Sequence, residues 1–445
     1  MDSLQGAGMW ASAVLGPDGF TYCLPCNARQ VLRLSETGAS ELVGADFGEE
    51  TWKWTAAVLG PKGTIWGIPG NAERVVCLNP SGHMELVGPV LEGTHKWHCA
   101  VLAPDGCIYA PPCDAGQVLR IDCARRHVAL IGPLLGGVGK YCACAATQSH
   151  VYCPPNHARQ VLSICLATKQ VELIGPDLSF GGGGAYVSAV CGLDGVVHCP
   201  PFGAPRALRI AEDGVELYGP ELPWMAHKWR AALLAPDGCV YAAPCNAGRV
   251  LRLGPGDDFA LVGPELPCDP APEGREKWRA VALAADGTIY AVPSHAKQIL
   301  RIKTGAAALE SPSFEELMAA KQKALSEEEQ NLKAEAQGNS EEEMEEDDEE
   351  LDSDAEDLED WPAEECDGVS LWGPIFEPKW ARKNKFRALA AGATAETLVA
   401  PPYFCGQVLV VRLDSPEEEA VQMLGDPPPK PPKKVFVPIP DEDAD

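Results

Sequence analysis

Along most of the chain, short apolar runs alternate with turn residues, and the alternation has a long period. The unit opens on an aromatic residue, usually preceded by lysine. An apolar run follows, then Pro-Asp-Gly, Ile-Tyr-Ala-x-Pro, Val-Leu-Arg-Ile and Glu-Leu-Val-Gly-Pro. The opening aromatic recurs at Trp10, Trp54, Trp97, Tyr141, Tyr186, Trp229, Trp278 and Phe386. The successive spacings are 44, 43, 44, 45, 43, 49 and 108 residues. A sustained period of this size predicts a repeat architecture in which each unit is one supersecondary element.

The copy beginning at Trp229 reads as four strands. Arg230 to Ala235 is apolar, and Pro236-Asp237-Gly238 follows. Asp-Gly between two β-like runs is a two-residue hairpin signal, with positive φ expected at both central positions. Cys239 to Ala243 is the second strand, and Pro244-Cys245-Asn246-Ala247 is turn chemistry. Arg249 to Leu253 alternates as a third strand, and Phe259 to Val262 is the fourth, closed by Gly263-Pro264. Nothing in the unit has a helical period. Four short antiparallel strands repeated in this way predict an all-β protein, a β-propeller built of four-stranded blades.

Eight copies predict eight blades over residues 9–425, with seven as the alternative if the last copy is irregular. Each copy ends its fourth strand on glycine, at Gly44, Gly88, Gly132, Gly175, Gly219, Gly263, Gly373 and Gly425. Each blade is expected to use consecutive chain. The ring then closes either by packing of the first blade on the last or by a strand added from Val435 to Ile439, where Pro438 argues against a central position.

The jump of 108 residues marks an insertion in the seventh copy, between Ile302 and Val369. Ser313 followed by Glu316 is a capping-box pattern, so Phe314 to Ala336 is expected to be a polar helix. From Glu341 to Asp360, 15 of 20 residues are acidic, a block expected to repel itself and stay disordered. The formal net charge is -28, and residues 310–367 contribute -22 of it, from 25 acidic and 3 basic residues. The remainder, -6, leaves the folded part only mildly acidic, and direct nucleic-acid binding is not expected. Within the low-complexity insertion (309–367), Ser326, Ser340 and Ser353 precede acidic residues, as substrates of acidophilic kinases do. The insertion is a candidate arm for basic protein partners. The tail, 426–445, is Pro/Lys-rich and then acidic, and is also expected to be disordered.

No secretory signal and no apolar run of membrane-spanning length is visible, so a cytoplasmic or nuclear setting is expected. The 18 cysteines, mostly at repeat positions, are then reduced packing residues. In propellers with this strand order, the loop before the first strand and the loop between the second and third strands share one face. Lys53, Lys96, Lys140, Lys228 and Lys277 precede the aromatic anchors there. Asn27, Asn71, Asp114, Asn246 and His295 occupy the third position of the facing loop, with Asn156-His157 in the fourth copy. A lysine ring at a channel mouth would attract an anionic ligand or acidic peptide. Cys23-x-x-Cys26 and Cys142-x-Cys144 have no matching second half, so no metal site is expected. No nucleophile elbow, zinc-protease motif or phosphate loop is present, and no cofactor is expected.

The unit Ala-Pro-Asp-Gly-x-Ile-Tyr-Ala resembles blades of NHL-type and SMP-30/gluconolactonase-like propellers. The resemblance implies the superfold and no catalytic residue, because the acidic and Asn metal ligands of lactonase-type propellers have no matching set here. The sequence therefore predicts a non-catalytic protein-interaction scaffold. A small-ligand-binding or lactonase-like hydrolytic propeller is the alternative.

Overall fold

The computed structural model describes residues 8–79, 82–180, 184–266, 276–305, 368–372, 386–391, 396–403, 407–415 and 421–424. The acidic insertion with Phe314 to Ala336, Ser326, Ser340 and Ser353, the segment Val435 to Ile439, Gly373, Gly425 and the tail lie outside these residues. Among the described residues there are eight four-stranded antiparallel sheets, each in simple sequential order. The only helical element among them is a short turn at Pro61–Gly63. No helix among the described residues is long and apolar enough to cross a membrane.

In the copy read above, the strands are Trp229–Leu234, Val240–Pro244, Val250–Leu253 and Phe259–Val262. The first strands of successive blades are neighbours all the way round, including the last blade with the first, so they line the central channel. Eight blades are thus present, and among the described residues no strand is shared between the ends. The ring closes by packing: Trp10, Leu32 and Leu34 of the first blade share a core with Val399, Val408 and Val410 of the last. The Gly8 amide adds a hydrogen bond to the Tyr403 carbonyl at 2.8 Å.

The Asp-Gly turn differs from the expected two-residue form. In the third blade the Gly106 amide bonds the Ala103 carbonyl at 3.0 Å, and only Gly106 takes positive φ, at 72°. This is a type I turn followed by a left-handed glycine. Pro104 favours it, because proline's fixed negative φ suits the first central position. The aspartate is also a latch. Asp105 accepts from the Tyr109 hydroxyl at 2.7 Å and the Cys107 amide at 3.0 Å. Asp18 holds Tyr22 at 2.7 Å, and Asp237 holds Tyr241 at 2.8 Å. The tyrosine of Ile-Tyr-Ala is therefore explained by the aspartate four residues before it.

The aromatic anchors are buried between adjacent blades. Trp97, for example, packs against Trp66, Ile68 and Val75 of the blade before it and Ile108 and Leu119 of its own. Every anchor except Phe386 also carries a donor at its far end. Trp97 Nε1 reaches the Gln117 carbonyl at 3.0 Å, and Tyr186 Oη reaches the Arg206 carbonyl at 3.0 Å. Trp and Tyr interchange here because both are large, apolar and tipped with a donor. The terminal glycines are needed for two reasons. Gly132 has φ of 80°, and a Cβ there would stand 2.6 Å from Val171 in the outer strand of the next blade. Gly175 stands in the same relation to Val215.

Two substitutions at one anchor test this account. Trp97→Ala opens an interblade cavity and is expected to cost about 3–5 kcal/mol. Trp97→Phe keeps most of the volume but strands the Gln117 carbonyl, for about 1–3 kcal/mol. Denaturant unfolding monitored by circular dichroism would rank them, and an unchanged stability in Trp97→Phe would contradict the hydrogen-bonding role.

Candidate functional site

The face formed by the loops before the first strands carries most of the residues singled out in the sequence. Their side chains clamp one blade to the next. The Lys53 amide bonds the Cys26 carbonyl of the preceding blade at 2.9 Å, and Lys140 bonds Cys113 in the same way at 3.0 Å. The loop residues reinforce these joints. Asn27 Oδ1 accepts from the Trp52 amide at 2.8 Å, Asn71 Oδ1 from His95 at 2.8 Å, and Asp114 from Gly139 at 2.6 Å. Asn246 Nδ2 donates to the Ala226 carbonyl at 2.9 Å, and His295 Nδ1 lies 3.0 Å from the Glu276 carbonyl. His157 is exposed beside Gly139.

The lysine ring lies where the sequence puts it, but its charges turn inward. Lys53, Lys96, Lys140, Lys228 and Lys277 are all buried. Their ammonium groups bind backbone carbonyls, mostly three residues back in their own loop. Lys96 reaches Gly93 at 2.8 Å, Lys140 reaches Gly137 at 2.6 Å and Lys228 reaches Met225 at 3.1 Å. Lys53 reaches Glu50, and Lys277 reaches Ala247 at 2.7 Å. Burial pushes Lys96 and Lys228 down to about 8, since desolvation penalises the charged form. These residues are architectural clips, and they display no positive ring at the channel mouth.

The displayed charge comes from a position the sequence reading passed over, the residue immediately after each anchor. These are Ala11, Thr55, His98, Cys142, Val187, Arg230, Arg279 and Arg387. A signal was present: this position does not repeat, although its neighbours do. In three blades the strand pairing slips there, between Trp54 and Ala56, Trp229 and Ala231, and Trp278 and Ala280. Thr55, Arg230 and Arg279 are the extra residues. Bulges of this kind re-aim a side chain away from the ladder.

Arg230, Arg279 and Arg387 come from three consecutive blades, and each lies within electrostatic reach of the others. Burial, then repulsion from Arg230 and Arg387, lowers Arg279 to about 10. Burial and Arg387 lower Arg230. Glu276 is the counter-ion inside the cluster. It pairs with Arg279, lies 3.6 Å from Arg230, and lies 3.2 Å from His227 Nδ1. Burial and the two arginines lower His227, which favours its neutral form. Three guanidiniums and one carboxylate leave a local charge of +2 among these groups.

Aromatic rings hold the arginines in place. Arg387 lies 5.3 Å over Trp52 and 5.2 Å over Tyr403, and donates to Tyr403 Oη at 2.7 Å. Arg230 lies 5.4 Å over Phe202, which stacks on His227 at 4.4 Å. Trp52, His95 and His227 all have positive φ, at 57°, 49° and 60°. Such backbone is strained for bulky residues and persists only when neighbours impose it. Asn27 and Asn71 do so for Trp52 and His95 through the amide bonds given above. The asparagine loop thus positions the mouth. Val90, Leu134, Val138, Trp224 and Met225 are exposed on the loops that lead into the anchors. On the opposite side of the mouth, His98 and Cys142 lie near Cys113.

No protein-family model and no curated protein matches the chain. Solved structures do. A streptogramin B lyase structure superposes with a TM-score of 0.50 at 14% identity, over 64% of this chain and 91% of that one. A computationally designed protein, Ika8, gives 0.55 at 9% identity, over 92% and 97%. A putative gluconolactonase gives 0.35 at 14% identity, over 54% and 88%. At these identities the likeness extends to the β-propeller fold alone.

The buried lysines give a testable pH dependence. Between about 8 and the ordinary 10.5, the unfolded chain keeps the Lys228 proton and the folded chain has lost it. Stability contributed by this group therefore rises with pH across that window and is flat below it. The stability advantage of the parent over Lys228→Met is expected to grow between pH 8 and pH 10 in urea titrations. A constant difference would mean that the ammonium is solvated.

Proposed function

We propose that this propeller is a non-catalytic interaction scaffold whose channel mouth binds an acidic segment of a protein partner. The observation that carries the reading is the convergence of Arg230, Arg279 and Arg387, with Glu276 the one carboxylate paired to them among the described residues. Guanidiniums suit carboxylate recognition because their donors form a rigid planar fork. Exposed apolar side chains beside the cluster support a protein partner over a small ion: Trp224 and Met225 stand on the loop that leads into Trp229 and Arg230. Trp, Met and Arg are enriched at interface cores, and a buried Arg or aromatic anchor commonly dominates binding energy. An intracellular setting belongs to the same reading. The fifteen cysteines among the described residues are all free, and eight of them are buried.

Acidic and basic peptides immobilised on an array, probed with the full chain, would test the mouth. Acidic peptides are expected to bind, more weakly as salt rises. Arg230→Gln with Arg387→Gln is expected to weaken binding by about ten- to a hundredfold, the loss of one or two charge-assisted hydrogen bonds. Unchanged affinity in the double variant would overturn the reading. Turnover of small lactones or esters by the parent, lost in the same variant, would replace it with the hydrolytic alternative.

The acidic insertion is proposed as a second, separate binding element for basic partners. Ile302 and Val369 are paired neighbours in the seventh blade, so the inserted segment leaves and re-enters at one point. That point joins the third and fourth strands, on the face opposite the arginines. Deleting residues 341–360 is expected to abolish capture of basic peptides and to leave acidic peptides bound. Loss of both together would join the two elements into one site.

A further inference from the structure

Across the mouth from the arginines, three soft ligands meet at a joint between blades. His98 and Cys142 each follow an anchor aromatic, Trp97 in the third blade and Tyr141 in the fourth. Cys113 lies in the loop between the second and third strands of the third blade. Its carbonyl accepts the Lys140 amide at 3.0 Å, the bond that brings Cys142 alongside. The Cys113 and Cys142 sulfurs are 4.0 Å apart. One nitrogen of His98 and both sulfurs lie within 4.8 Å of one another. His98 Nε2 is buried and meets no geometric hydrogen-bond criterion, and the Cys113 thiol is close enough to interact with the ring. Its ring is held by a stack on Trp52 at 6.3 Å and an edge contact with His95 at 5.8 Å.

We propose that His98, Cys113 and Cys142 bind a thiophilic d10 metal ion, zinc(II) or copper(I), between the third and fourth blades. Two thiolates and an imidazole with an open fourth position form a known zinc ligand set, and thiolates also select copper(I). The sulfur separation fits. With metal–sulfur bonds of about 2.3 Å, two sulfurs stand ~3.8 Å apart at the tetrahedral angle and ~4.0 Å apart at the trigonal one. Arg230, Arg387 and Asp114 lie within electrostatic reach of Cys142. Binding releases the thiol protons to solvent and oxidises nothing.

The full chain, reduced and freed of metal, would be titrated with cobalt(II) as a spectroscopic stand-in for zinc. The expected result is one equivalent bound, a thiolate-to-cobalt charge-transfer band, and displacement by zinc. A parallel titration with copper(I) against a chromophoric chelator distinguishes the two ions. Cys113→Ser and Cys142→Ser are expected to abolish the band. His98→Ala should weaken binding at least about tenfold, since even supporting residues of metal sites are worth that much. Cys144→Ser, which alters a neighbouring thiol outside the trio, should leave the band intact. Circular dichroism and melting of each variant separate ligand loss from misfolding. Failure of the reduced, folded parent to bind either ion would overturn the site. So would an unchanged band in a folded Cys142→Ser variant, or a Cys113–Cys142 disulfide that persists under mild reduction.

Discussion

The joint between neighbouring blades at each aromatic anchor is the interaction on which the rest depends. A four-stranded sheet of this size cannot cover both its faces, and it is stable only when each face lies against another sheet. The anchor supplies the apolar mass of that contact. The lysine before it donates its amide to the preceding blade, and its ammonium secures the incoming loop. The loop asparagine fixes the residue two before the anchor, in left-handed backbone where that residue is Trp52 or His95. Because the joint repeats eight times, a fault in one copy opens the ring at that point. This accounts for large, donor-tipped aromatics at seven of the eight positions.

The chemistry of the mouth follows from the same joint. Once the anchor is buried and the preceding residue is clamped, the residue after it is pushed to the channel end. Architecture does not constrain what that residue is. Seven neighbouring blades have room for alanine, threonine, histidine, cysteine, valine or arginine there, and the eighth adds Arg387. The result is a polarised ring, with a cationic arc on the sixth to eighth blades and a thiol-imidazole cluster on the third and fourth. The two arcs are coupled electrostatically, since the arginines stabilise negative charge on Cys142. Like-charge repulsion among three guanidiniums is tolerated because Glu276 sits between Arg230 and Arg279 and aromatic faces flank Arg230 and Arg387. By contrast, exposed ion pairs such as Arg29–Asp46 are screened by solvent and contribute little.

Much of the fold was legible in the chain. The period, the strand pattern and the terminal glycines led to sequential four-stranded blades, eight with seven as the alternative, because each reports a local backbone requirement; the structure shows eight. Turn geometry was less legible: Asp-Gly alone suggests a primed turn, and only the preceding proline favours the type I form with a left-handed glycine. The lysines illustrate a different limit. Their place at the mouth was readable, but the direction of their ammonium groups was not. A lysine stem is long enough to reach either solvent or its own loop, and the choice depends on carbonyls left without partners by the folded loop.

Sequence by itself determined the repeat, the location of the insertion and which face gathers the variable loops, and it narrowed the blade count to eight or seven. These follow from periodicity and from residues whose backbone preferences act over a few positions. Only the tertiary structure decided the site. Cys113 and Cys142 are 29 residues apart, and Arg230, Arg279 and Arg387 span most of three blades. No local spacing relates them, because ring closure and the interblade joints set their distances. Tertiary structure also decided how the ring closes, through Trp10 packing against the eighth blade. Steric fit between surfaces far apart in the chain leaves no periodic trace.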